Sequence, residues 1–125
     1  MYYLFLADGF EEIEALATLD VMRRAGISVK TVGINSKNVT GNHNITVTAD
    51  ILDEELCFDT IEGVILPGGI PGTPNLEKSE TVQIAIDLAS KKGLLLATIC
   101  AAPSILGHKG LLADKKATSN PDFEM

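Results

Sequence analysis

The chain has 125 residues, a net charge of -7, and 46% hydrophobic against 22% charged residues. That length suits one domain able to bury roughly two-thirds of its unfolded surface, and the composition is globular rather than disordered. The acidity argues against nucleic acid or anionic membrane as a partner, and no apolar run reaches spanning length, since residues 94–106 are short and interrupted by Pro103.

Residues 2–7 read as a strand buried on both faces, with Asp8 and Gly9 as the turn after it. No basic stretch of a secretory signal precedes Asp8. Glu11, Glu12 and Glu14 crowd the first turn of a helix, where negative charge suits the macrodipole, and the helix is expected to run to about Ala25 and stop at Gly26. Residues 27–34, rich in β-branched side chains, form a second strand. Residues 35–44 are polar and turn-rich, 45–48 alternate as a short exposed strand, and 52–56 read as a short acidic helix or turn. A third buried strand at 64–66 stops at Pro67, and the glycine- and proline-rich stretch to Asn75 is expected to be a loop. Residues 77–92 carry helical periodicity through Val82, Ile84, Ala85, Leu88 and Ala89. After Gly93 comes a strand leading to Cys100, then a short helix through Leu106. Strands alternating with helices imply a parallel sheet covered on both faces.

Ligands of an open parallel sheet bind beyond the carboxyl ends of its strands. Glu14, the Gly68 and Gly69 pair, and Cys100 stand at three such ends, so the topology should gather them on one rim. Cys100 follows an apolar run and precedes small residues and Pro103, the layout of a nucleophile elbow. Helix amides beneath it would favour the thiolate; the alternative is a buried structural cysteine. Glu14 heads a helical stripe of Ala17, Thr18, Val21 and Met22 that is expected to pack inward. Burial beside a thiolate would keep its carboxyl protonated and able to donate to sulfur, whereas Glu11 and Glu12 read as carboxylates decorating the helix start. The amides of Gly69 and Ala101 could form an oxyanion hole, the alternative for Gly68 and Gly69 being a plain turn.

No Walker lysine or G-x-G-x-x-G pattern is present, so phosphate cradling is not expected. His43 falls in a polar, exposed turn region, and His108 lies about two helical turns, roughly 10 Å, beyond Cys100. Neither is placed as a general base. The two histidines and two cysteines have no metal-ligand spacing, so no metal and no cofactor are expected. Cys57 is read as packing at a core margin, and as unreactive because Glu54, Glu55 and Asp59 disfavour a thiolate. With no disulfide framework the expected compartment is the cytoplasm. Asp20 and Arg24, at i,i+4 spacing, are a surface pair.

Four blocks together resemble the DJ-one/ThiJ/PfpI superfamily, and its DJ-one/ThiJ branch in particular. They are Ala7-Asp8-Gly9-Phe10-Glu11-Glu12-Ile13-Glu14, Asp20-Val21-Met22-Arg23-Arg24-Ala25-Gly26, Leu66-Pro67-Gly68-Gly69 with Asn75-Leu76, and Ala97-Thr98-Ile99-Cys100-Ala101-Ala102-Pro103. The resemblance implies a flavodoxin-like three-layer sandwich with a mostly parallel sheet, and a homodimer. It also implies Cys100 as the oxidisable nucleophile, Glu14 as its protonated partner, and the amides of Gly69 and Ala101 around the oxyanion. Two positions depart from the family pattern. Ala102 stands where a glycine is usual, and Asn120, a substrate-loop position, stands where histidine is frequent. The second departure weakens a peptidase or amidase reading and leaves a Cys-Glu pair.

The expected activity is therefore glyoxalase or deglycase chemistry on small α-oxoaldehydes, without a cofactor. The rival is an oxidative-stress sensor or chaperone in which Cys100 is oxidised and no turnover occurs. Residues 1–125 are expected to be a single domain lacking its C-terminal strand and helices, completed by a companion C-terminal fragment, because the helices read here are too few to cover the sheet.

Overall fold

A computed structural model describes residues 1–98 and Ile105. Its centre is β1 (Tyr2–Leu6), flanked by β2 (Val29–Gly33) and β6 (Gly63–Leu66), with β5 (Ile51–Leu52) and β7 (Leu95–Thr98) outside them. All four pairings are parallel, in the order β5-β2-β1-β6-β7. A separate antiparallel hairpin joins β3 (Asn38–Thr40) to β4 (Thr46–Thr48).

The central strands explain the unbroken apolar runs. Tyr3 and Phe5 point into one core with Val32, Val64 and Leu66, while Leu4 and Leu6 point into another with Val29 and Ile65. A strand buried on both faces has no polar alternation to show. The second core is closed by α1 (Glu12–Arg24), through Ala15, Leu19 and Met22, and by Val39 and Val47 of the hairpin. The first is closed by Leu76 of α2 (Gly72–Lys78), by Val82, Ala85, Ile86 and Ala89 of α3 (Glu80–Lys92), and by Ile105. Helices on both faces of a parallel sheet make the expected three-layer α/β sandwich. Fully buried side chains such as Phe5, Phe10 and Ile86 each contribute about 1.5–3 kcal/mol of burial energy.

Several local expectations need correction. The glycine- and proline-rich stretch is not loop throughout, because α2 begins at Gly72. Pro74 sits in its first turn, where a missing N–H removes no helical bond. The long periodic segment is broken at Ser79, whose Oγ accepts from Val82 N and caps α3. Ile51 and Leu52 join the sheet edge, and only Asp53–Glu55 forms a 3-10 turn. The turn-rich stretch contains β3, held antiparallel to β4. Cys57 is exposed rather than at a core margin.

The inward face of α1 also differs from expectation. Ala17 is exposed and Val21 is 64% exposed, so the stripe below Glu14 largely faces out. Of that stripe Met22 does pack toward the sheet, together with Ala15 and Leu19, and Glu12 is buried on the same side. Its N-terminus is fixed by polar bonds to two loops, and these choose the rotation.

Candidate active site

The rim is built where β1 and β6 end. Glu11 caps α1, its two carboxylate oxygens accepting from Ile13 N and Glu14 N at 3.2 Å each. Its own amide donates to Gly68 O at 2.9 Å, and Gly68 N donates to Glu14 Oε1 at 3.0 Å. Gly68 is thus held from both sides by the first turn of the helix, and Glu14 is aimed at the β6 loop although its stripe is exposed.

Gly69 follows with φ +104, a left-handed conformation open to glycine. A Cβ there would lie 2.5 Å from Glu11 N, so the close approach of this loop to α1 also requires glycine. Gly69 O accepts from Thr73 N at 2.9 Å, which leads the chain into α2. Gly69 N–H has no partner among the described residues. In the first turn of α2, the Thr73 hydroxyl is buried and has no hydrogen-bond partner among the described residues. The next strand reaches the same rim, because Thr98 at the end of β7 pairs with Leu66.

Glu14, Gly68 and Gly69 therefore meet as the topology requires. Cys100, Ala101 and Asn120 lie outside the described residues, as does His108.

A second cluster was not legible as such. Glu12, read as a surface carboxylate, is only 4% exposed. Its Oε2 accepts from His43 N at 2.9 Å and Ile45 N at 3.2 Å, and its Oε1 lies 3.0 Å from His43 Nδ1. Burial alone would push this carboxyl up. Hydrogen bonds from the His43 ring, its own amide and the amides of Ile45 and His43 outweigh burial and hold it below the ordinary value. The hairpin is sewn to the β1 end by further bonds, Gly9 N to Thr40 O, Asn42 N to Phe10 O and Thr40 N to Asp8 Oδ1. The one sequence signal for this contact is Gly41, where any side chain would run into the Glu12 carboxyl.

A polar cleft of about 540 Å³ opens nearby, between the ends of β1 and β2 and the α2–α3 junction. Asp8, Asn35, Asn75 and Lys78 are in its wall, but Glu14 and the glycine pair are not. It is a neighbour of the rim rather than its mouth.

The parallel sheet, its strand order and the two helical layers define a flavodoxin-like α/β protein with its candidate site beyond the carboxyl ends of the strands. Over residues 2–125 the chain matches the DJ-1/PfpI family model, and it belongs to that family. It is 34% identical over 122 residues to Protein dj-1beta of Drosophila melanogaster, covering 97% of this chain and 65% of the relative. It is 32% identical over 114 residues to Deglycase TK1284 of Thermococcus kodakarensis, covering 90% of this chain and 68% of that protein. The structure of oxidised Toxoplasma gondii DJ-1 superposes with a TM-score of 0.93 at 31% identity, over 98% of this chain and 67% of that one. The chain spans about two thirds of these relatives' length, and only 27% of another, the Arabidopsis thaliana DJ-1 homolog B.

Proposed function

We propose that the rim is a Cys-Glu site for glyoxalase or deglycase chemistry on small α-oxoaldehydes. The observation that carries this reading is the Glu14 Oε1 to Gly68 N hydrogen bond. It fixes a carboxyl group, and the loop carrying a glycine amide unpartnered among the described residues, beside the strand that leads to Cys100. The archaeal relative named a deglycase supports the deglycase side of this reading.

In this mechanism the Cys100 thiolate adds to the aldehyde carbon, forming a C–S bond while the carbonyl π pair becomes an alkoxide. The amides of Gly69 and Ala101 hold that oxygen, and Glu14 delivers the proton that completes a hemithioacetal. Carbon-to-carbon proton transfer through an enediolate then gives a lactoyl thioester from methylglyoxal. Water hydrolyses the thioester to lactate and returns the thiol. The cycle consumes no cofactor. The working unit in this reading is a cytoplasmic homodimer; among the described residues no helix is long and apolar enough to cross a membrane.

A second reading draws on the likeness to an oxidised DJ-1 structure. There the Cys100 thiolate takes one oxygen from each of two hydrogen peroxide molecules, giving a sulfinate and two waters. One assay separates the two readings. Wild type should form lactate from methylglyoxal and Cys100→Ala should not. A protein that forms none, yet gains two oxygens on Cys100 in dilute peroxide, is the sensor.

A further inference from the structure

The hairpin brings one imidazole and two carboxylates from distant parts of the chain to a single point. Donor atoms of Glu11, Glu12 and His43 all lie within 4.8 Å of one another. His43 Nδ1 is 3.0 Å from Glu12 Oε1 and 3.6 Å from Glu11 Oε1. A first-row divalent ion with nitrogen and oxygen ligands at about 2.0–2.1 Å in a tetrahedron places neighbouring donors roughly 3.3 Å apart. The two separations bracket that spacing.

A hydrogen bond between His43 and Glu12 accounts for only part of this arrangement. Nδ1 carries at most one proton, and Glu12 accepts it. Glu11 Oε1 nonetheless converges on the same nitrogen, bringing two like charges together at one ring edge. A cation would relieve that repulsion.

The ligands are also held in advance. The Glu12 side chain is buried, and two backbone amides fix its Oε2, leaving Oε1 turned to the ring. Carboxylates oriented by such outer bonds make good metal ligands. Gly41 lets the hairpin backbone close over the carboxyl. Each Glu11 oxygen accepts one amide at 3.2 Å and keeps a lone pair. The His43 side chain is 67% exposed, which gives an ion a way in and leaves room for water as a fourth ligand.

We propose that Glu11, Glu12 and His43 form a binding site for a borderline first-row divalent cation, with Zn²⁺ the closest match. One imidazole nitrogen with two carboxylate oxygens suits that class better than Ca²⁺ or Mg²⁺, which take oxygen alone. With Nδ1 as the ligand, the neutral ring carries its single N–H at Nε2. The ion ties the hairpin to the first turn of α1, two residues before Glu14. This site is independent of the proposed aldehyde chemistry.

The test is calorimetric titration of the full chain with Zn²⁺, in a Cys57→Ser/Cys100→Ser background so that thiols do not compete. Co²⁺ absorption serves as a second probe. One equivalent should bind saturably and raise the melting temperature. His43→Ala, which alters an exposed ring, should weaken binding at least tenfold, and Glu11→Ala should weaken it in the same direction. His108→Ala should leave it unchanged. No saturable binding, or binding that survives His43→Ala, or binding lost only in His108→Ala, overturns the proposal.

Discussion

Helices α1 and α3 have 13 residues each and pack on opposite faces of one sheet, yet they are held differently. α3 buries Val82, Ala85, Ile86 and Ala89 against the sheet, so its rotation follows from hydrophobic pattern. α1 exposes Ile13 and Val21 while burying Glu12, and Glu11, Glu12 and Glu14 each bond to a backbone amide. A core element is placed by area. A site element is placed by polar bonds that win against area at particular positions, because an unpaired buried carboxylate costs more than an exposed isoleucine.

This contrast predicts that substituting Glu14 in α1 acts on the proposed chemistry and substituting the apolar face of α3 acts on stability. The largest effect should come from Glu14→Gln, which keeps shape but removes the proton transfer proposed for this carboxyl. Lactate formation from methylglyoxal should fall by roughly 10²–10⁴-fold with an unchanged urea midpoint; an unchanged rate would reduce Glu14 to a loop anchor. Ile86→Ala should cost about 2–5 kcal/mol of unfolding free energy, while Ile13→Ala stays within about 0.5 kcal/mol. Equal losses at both sites would erase the distinction between the helices.

Acid should expose the polar fastening of α1. Glu12 has a folded value below its ordinary 4.5. Its stabilising contribution is complete above pH 4.5 and is lost as pH falls through the lower folded value. Thermal melts across that window should show wild type losing more stability than Glu12→Gln, with Glu11 and His43 unaltered in both. Parallel curves would mean that the hairpin contact contributes nothing. The smallest effect belongs to the exposed Arg24–Asp20 pair on the outer side of α1, where Arg24→Ala should change stability by about 0.3–0.5 kcal/mol and less in high salt.

The sheet was legible because buried parallel strands leave unbroken apolar runs, as in residues 2–7 and 64–66, and α3 because its face repeats with helical period. The meeting of Glu14 with Gly68 was legible from topology alone, since both follow strands that end on one rim. Other features depend on contacts distant in sequence. Nothing beside Glu12 announces that residues 41–45 will fold over it, so its burial was invisible while its first-turn position was plain. The rotation of α1 was misread for the same reason. The break at Ser79 was missed because helical periodicity continues across it, while the cap is a single hydroxyl.

The central place of β1 also shapes how the chain finds its structure. Tyr2 pairs with Val29 across the short α1 connection and with Gly63 across a loop a little over twice as long. Closing the longer loop costs only about 0.6 kcal/mol more entropy, but its contacts are the less local ones, which slow folding. The β1–α1–β2 unit is therefore the natural nucleus, and β6 zips on afterwards, carrying the Gly68 loop to a helix start already in place. Kinetic measurements should find substitutions at Val32 slowing folding, and those at Ile65 mainly speeding unfolding.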